Sequence, residues 1–143
     1  MSDLPGLKDV LDAQCAVQQK LLSLEEEKTG ALLSGDVQVL VPLLNSQQAL
    51  LAKCRELEKQ RSALCSDTGY STLKELVNSG GEYESLLGGV YLELSSVVTK
   101  LKKKCAQNKK LLDTRLATIK FLTGRMEQEP GAATYKKNAP AKG

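Results

Sequence analysis

EYESLLGGVYLELSSVVTKLKKKCAQNKKLLDTRLATIKFLTGRM, residues 82–126, decides the fold. The stretch holds no proline, and its apolar residues recur every seven positions. One column is Leu87, Leu94, Leu101, Asn108, Arg115 and Leu122. A second is Tyr83, Val90, Val97, Lys104, Leu111 and Thr118. A third is Tyr91, Val98, Cys105, Leu112, Ile119 and Met126. Spacings of three, four and seven put these residues on one face of an α-helix. At about 1.5 Å per residue such a helix spans about 67 Å, longer than a compact domain of this size is wide. It therefore needs long helical partners, and the rest of the chain offers two.

The columns change character along the helix. From Tyr83 to Leu101 they are almost wholly apolar; from Lys104 onward they admit Lys104, Asn108, Arg115 and Thr118. The second half is also basic, with Lys100, Lys102, Lys103, Lys104, Lys109, Lys110, Arg115, Lys120 and Arg125 against the single acid Asp113. The first half reads as core and the second as a weaker seam open to a partner. The competing reading is a continuous bundle with solvated, lysine-rich outer faces.

Working outward from the N-terminus, Ser2 or Asp3 can cap a first helix with Pro5 in its first turn, where a missing N–H costs nothing. Its face is Leu7, Val10, Leu11, Val17, Leu21, Leu24, Ala31 and Leu32, interrupted by Gln14 and Lys28, with Glu25-Glu26-Glu27 expected largely on the outside. Ser34-Gly35 is the stop signal. Asp36 can cap a second helix with the columns Leu43, Leu50, Leu57, Leu64 and Val37, Leu44, Leu51, both expected in the core. Pro42 predicts a kink or loose turn there, because it removes the bond to the Gln38 carbonyl. Thr72-Leu73-Lys74-Glu75 has the form of a capping box and opens a short helix carrying Leu73, Leu76 and Val77, closed by Gly80-Gly81. Gly88-Gly89 lies early in the long helix, which predicts either a close helix contact or local fraying.

The expected fold is all-α: an elongated antiparallel bundle, or coiled-coil hairpin, of three long helices plus one short helix. Residues 1–128 are expected to form a single domain and 129–143 a flexible C-terminal tail, since only Tyr135 relieves the tail's lack of large apolar residues.

Composition narrows the chemistry. In 143 residues there is no histidine, which removes the commonest general base and metal ligand. Cys15, Cys54, Cys65 and Cys105 form no CxxC pair and read as small buried hydrophobes in a reducing compartment. No nucleophile–base pair appears, so neither an enzyme nor a cofactor is expected. A net charge of +3 does not demand nucleic acid, and the Lys100–Lys110 cluster lacks the interleaved aromatics that stack bases. No leader and no run long enough for membrane insertion is visible, so a cytoplasmic location is expected.

Four pieces of the chain together resemble the bacterial flagellar export chaperones of the FlgN family. They are Ala31-Leu32 before Gly35-Asp36; Gln48-Ala49-Leu50-Leu51 before Leu57-Glu58 and Arg61; Asn108 before Leu111-Leu112, Leu116, Ile119, Leu122 and Gly124; and an isolated Tyr135 in a Gly/Ala/Lys-containing tail. The chain departs from the family at Gln47, where a lysine is common, at Pro42, and after Tyr135, where the nearest glycine is Gly143. The resemblance implies a chaperone that binds the C-terminal helical segments of hook–filament junction proteins. It also implies delivery of these clients to the flagellar type III export apparatus. The implied client surface is Val98, Leu101, Cys105, Asn108, Leu111, Leu112, Leu116, Ile119 and Leu122, with Tyr135 docking at the export gate. Asn108 in an apolar column would also fix register. Phe121, off the main stripe, is either a partner contact or a chance surface aromatic.

The alternative is a generic coiled-coil adaptor, homodimeric through the same stripes. A chaperone should be largely monomeric alone and form a stoichiometric complex with its client. The adaptor should dimerise without one.

Overall fold

The computed structural model describes residues 3–127. They form four helices and no strand: α1 (Leu4–Ser34), α2 (Val37–Ser66), α3 (Leu73–Asn78) and α4 (Gly81–Glu127). The 45-residue periodic stretch thus becomes a 47-residue helix. The described residues divide into two compact units, one ending at Asn108 and one beginning at Lys109.

Local chemistry sets the helix ends. The Asp3 carboxylate accepts the Gly6 N–H at 2.9 Å, and Pro5 occupies the first turn of α1. At the other end Gly35 takes the left-handed conformation (φ 71°) and its N–H returns to the Ala31 carbonyl at 2.9 Å. Asp36 then caps α2, accepting the Gln38 and Val39 N–H groups. Thr72 caps α3 by accepting the Glu75 N–H, while the Glu75 carboxylate accepts from the Ser71 hydroxyl rather than closing the box on Thr72.

In the first unit α1 and α2 are antiparallel: Gln14 meets Glu58 near one end, and Lys28 meets Gln47 near the other. The α4 segment runs with α1, pairing Gln19 with Glu93 and Glu25 with Asn108. All four helices contribute to one core, built on Leu7, Leu11, Cys15, Cys65, Leu76, Leu87, Val90 and Val97. A second cluster joins Val17, Leu21 and Leu57, with Leu101 packed on it. Burying such side chains contributes about 1.5–3 kcal/mol each.

Three sequence expectations change. Glu25 is not on the outside; it is 2% exposed. The Val37, Leu44, Leu51 column is not core; these residues are 65%, 40% and 40% exposed, because α2 turns its Leu57 side inward. Pro42 makes no loose turn in α2, which is helical from Val37 through it; the proline is exposed and within two turns of the N-terminus, where water can serve the Gln38 carbonyl. At Gly88 an added Cβ would meet only the Glu84 side chain at 3.8 Å, and at Gly89 nothing within 4 Å. The pair therefore serves no close helix contact, and α4 passes through it unbroken. The segment 129–143, with Tyr135, lies outside the described residues.

Candidate functional site

The nine residues expected to face a client divide between the two units. Val98 is half-buried and packs on the core that contains Leu11 and Leu87. Leu101 is half-buried against Val17, Leu21 and Leu57. Cys105 is an exposed residue rather than the buried hydrophobe expected, and its sulfur is only partly desolvated. That desolvation, the negative charge of Glu25 and a hydrogen bond to Glu25 push its thiol pKa up, against a lowering effect of Lys28. Asn108 is only 4% exposed.

Asn108 is buried because it completes a polar node among three helices. Its Nδ2 donates to Glu25 Oε2 at 2.7 Å and to the Glu25 carbonyl at 2.8 Å. Its Oδ1 accepts from the Thr29 hydroxyl at 2.6 Å. Glu25 Oε1 accepts from Lys28 Nζ at 3.1 Å and from Gln47 Nε2 at 3.0 Å. Lys28 Nζ also donates to Gln47 Oε1 at 3.1 Å. A buried carboxylate is costly unless paired and hydrogen-bonded, and here both oxygens are served. The donors come from α1, α2 and α4, so the node fixes the register of α4 against the α1–α2 hairpin.

The sequence reading missed Glu25, yet the signal was present. Leu4, Leu11, Gln18, Glu25 and Leu32 form a strict seven-residue column. The run Glu25-Glu26-Glu27 concealed it, because three successive acids suggest a solvated face. Gln14, the other polar intruder in α1, donates to Glu58 at 3.0 Å, while its buried Oε1 has no hydrogen-bond partner among the described residues.

The second unit presents a different surface. Leu111 is half-buried, whereas Leu112, Leu116, Ile119 and Leu122 are 43%, 47%, 57% and 53% exposed. Leu112, Leu116 and Ile119 follow the i, i+4, i+7 spacing of one helix face, with Leu111 and Leu122 along one edge. A run of large exposed apolar side chains is the kind of surface through which proteins bind partners. Phe121, 63% exposed, lies on the other side of the helix with the Arg125 guanidinium 6.0 Å from its ring centre.

Among the described residues no group of three or more His, Cys, Asp or Glu side chains is placed to hold a metal ion. No helix among them is long and apolar enough to cross a membrane. What the surface can do is bind another helix.

Comparison with known proteins agrees with the resemblance read from the sequence. The sequence model described as FlgN protein matches residues 1–143. The uncharacterized protein YvyG of Bacillus subtilis (strain 168) is 30% identical over 133 residues, which cover 89% of this chain and 82% of that protein. No solved structure matches. With a match along its whole length, the chain belongs to the FlgN family of flagellar export chaperones.

Proposed function

We propose that this chain is a cytoplasmic export chaperone for hook–filament junction proteins. It binds their C-terminal helical segments, prevents premature assembly, and delivers them to the flagellar type III export gate. The observation that carries this reading is the open stripe Leu112, Leu116, Ile119, Leu122, which the described residues leave without a cover of its own. An amphipathic client helix laid along it would bury both apolar faces, as in helix-in-groove recognition. Of the nine residues expected to bind, the stripe and Leu111 are best suited to direct contact. Val98, Leu101 and Asn108 are held within the first unit and would meet a client only along its own part of α4. Cys105 keeps its place as a contact at the exposed edge of α4. Tyr135 would supply the gate contact, as the family resemblance implies.

The test is copurification of hook–filament junction proteins with the full chain and with L116E/I119E. The intact chain should capture a client stoichiometrically, and the double variant should lose it while keeping its helical circular dichroism and melting temperature. Failure of the intact chain to capture any junction protein would remove the chaperone assignment. One observation favours the adaptor alternative, the exposed Val37, Leu44, Leu51 column of α2. Light scattering decides between the two: an adaptor is dimeric without a client, and L44E makes it monomeric.

A further inference from the structure

The late α4 surface carries charge as well as apolar area. In residues 109–125 the basic side chains are Lys109, Lys110, Arg115, Lys120 and Arg125, against Asp113 alone. Lys109, Lys110 and Lys120 are exposed, and none forms an ion pair among the described residues. At about 100° per residue, Lys109 and Lys120 fall along one edge of the Leu112–Leu116–Ile119 stripe, and Arg125 lies beyond the opposite edge. Arg115 falls within the apolar arc, between Leu112 and Leu122. Asp113 falls just outside Lys109 and Lys120 on that edge, so the flanks are net basic rather than purely basic, and flanking charges choose the partner of a helix seam.

We infer that this surface selects a partner helix whose apolar face is flanked by acidic residues. The inference rests on the partner-binding reading above and adds the chemistry of the occupant. A second copy of the same segment is disfavoured, because it would bring basic edges together. An anionic membrane is disfavoured by two placements. Phe121, the chain's only phenylalanine, points about 180° away from Leu112 and cannot anchor that face in a lipid interface, and Arg115 would be carried into the apolar layer. Nucleic acid is disfavoured because no aromatic residue interleaves with the lysines on this face.

The test uses the full chain and two fluorescent synthetic helices with the same Leu/Ile face, one flanked by Glu and the other by Lys. The Glu-flanked peptide should bind about tenfold more tightly at low salt, since several exposed pairs each contribute modestly. Raising ionic strength from about 50 mM to about 500 mM should shrink that gap. In K109E/K120E/R125E the preference should reverse. Equal binding of the two peptides, a preference indifferent to salt, or binding confined to phosphatidylglycerol vesicles would overturn the inference. The salt titration decides the matter on the unmodified chain even if the triple variant fails to fold. Junction-protein capture, run in parallel, separates the two claims. Capture with no peptide preference overturns only the charge rule; peptide preference with no capture overturns only the junction-protein assignment.

Discussion

The two halves of α4 are alike in apolar periodicity and opposite in what becomes of it. Between Gly81 and Asn108 the repeat buries Leu87, Val90 and Val97. From Lys109 to Arg125 the same repeat continues, and no residue in it is fully buried. Periodicity therefore fixes which side chains share a face, and the neighbouring helix fixes whether that face is covered. Asn108 is the last residue of the first unit and the only polar member of its column to be held in the core.

The comparison can be broken most directly by truncating one apolar residue in each unit. Leu11→Ala, at a fully buried site, should cost about 2–5 kcal/mol in urea unfolding. Ile119→Ala should cost under about 0.5 kcal/mol in the same measurement. Similar losses at both sites would mean that the late stripe is packed in solution.

A smaller effect is expected at the node. Asn108→Ala removes the donor to Glu25 Oε2 and should lower unfolding stability by about 2 kcal/mol, the cost of a hydrogen bond to a buried charge. Hydrogen exchange should rise around Thr29 and Gln47 as well as in α4. A loss confined to α4 would show that the three-helix connection does not hold.

Smaller again, and opposite in sign, is Gly89→Ala. The position is helical, exposed and open, so it should gain about 0.5–1 kcal/mol of stability. Client capture should be unaffected, since the change lies in the packed half.

The smallest effect concerns Glu58. The hydrogen bond and charge of Arg61, with help from Gln14, hold its carboxyl below the usual range, against partial burial that pushes it up. A depressed folded-state pKa gives stability that is present above the unfolded carboxylate range. That stability is lost as pH falls through the folded pKa. The pair is more than half exposed on the glutamate side, so its worth is under about 0.5 kcal/mol. Comparing wild type with Glu58→Gln should show a difference at about pH 7 that shrinks as the pH falls through the folded-state pKa of Glu58.

Much of the fold was legible because helices announce themselves locally. The α1 stop at Ser34-Gly35 and the Asp36 and Thr72 caps follow from residues within a turn of the feature, and the length of α4 follows from a repeat that runs along the helix itself. For the expected client residues, the seven-residue columns placed Val98 through Leu122 on one face but could not say which of them the chain covers for itself. Gly88-Gly89 was ambiguous for the same reason, since a close contact and a tolerated glycine pair look alike in sequence.

By itself the sequence determined the four helices of the described residues, the basic second half of the long helix and the absence of histidine. Only the tertiary structure decided that Glu25 is inside, that Val37, Leu44 and Leu51 are outside, and that Asn108 is a buried connector. Periodicity relates residues on one helix, whereas burial depends on which helix lies opposite and on whether a polar group there finds its partners. Glu25 can be buried because Lys28, Gln47 and Asn108 converge on it from three helices, and that convergence is a property of packing alone.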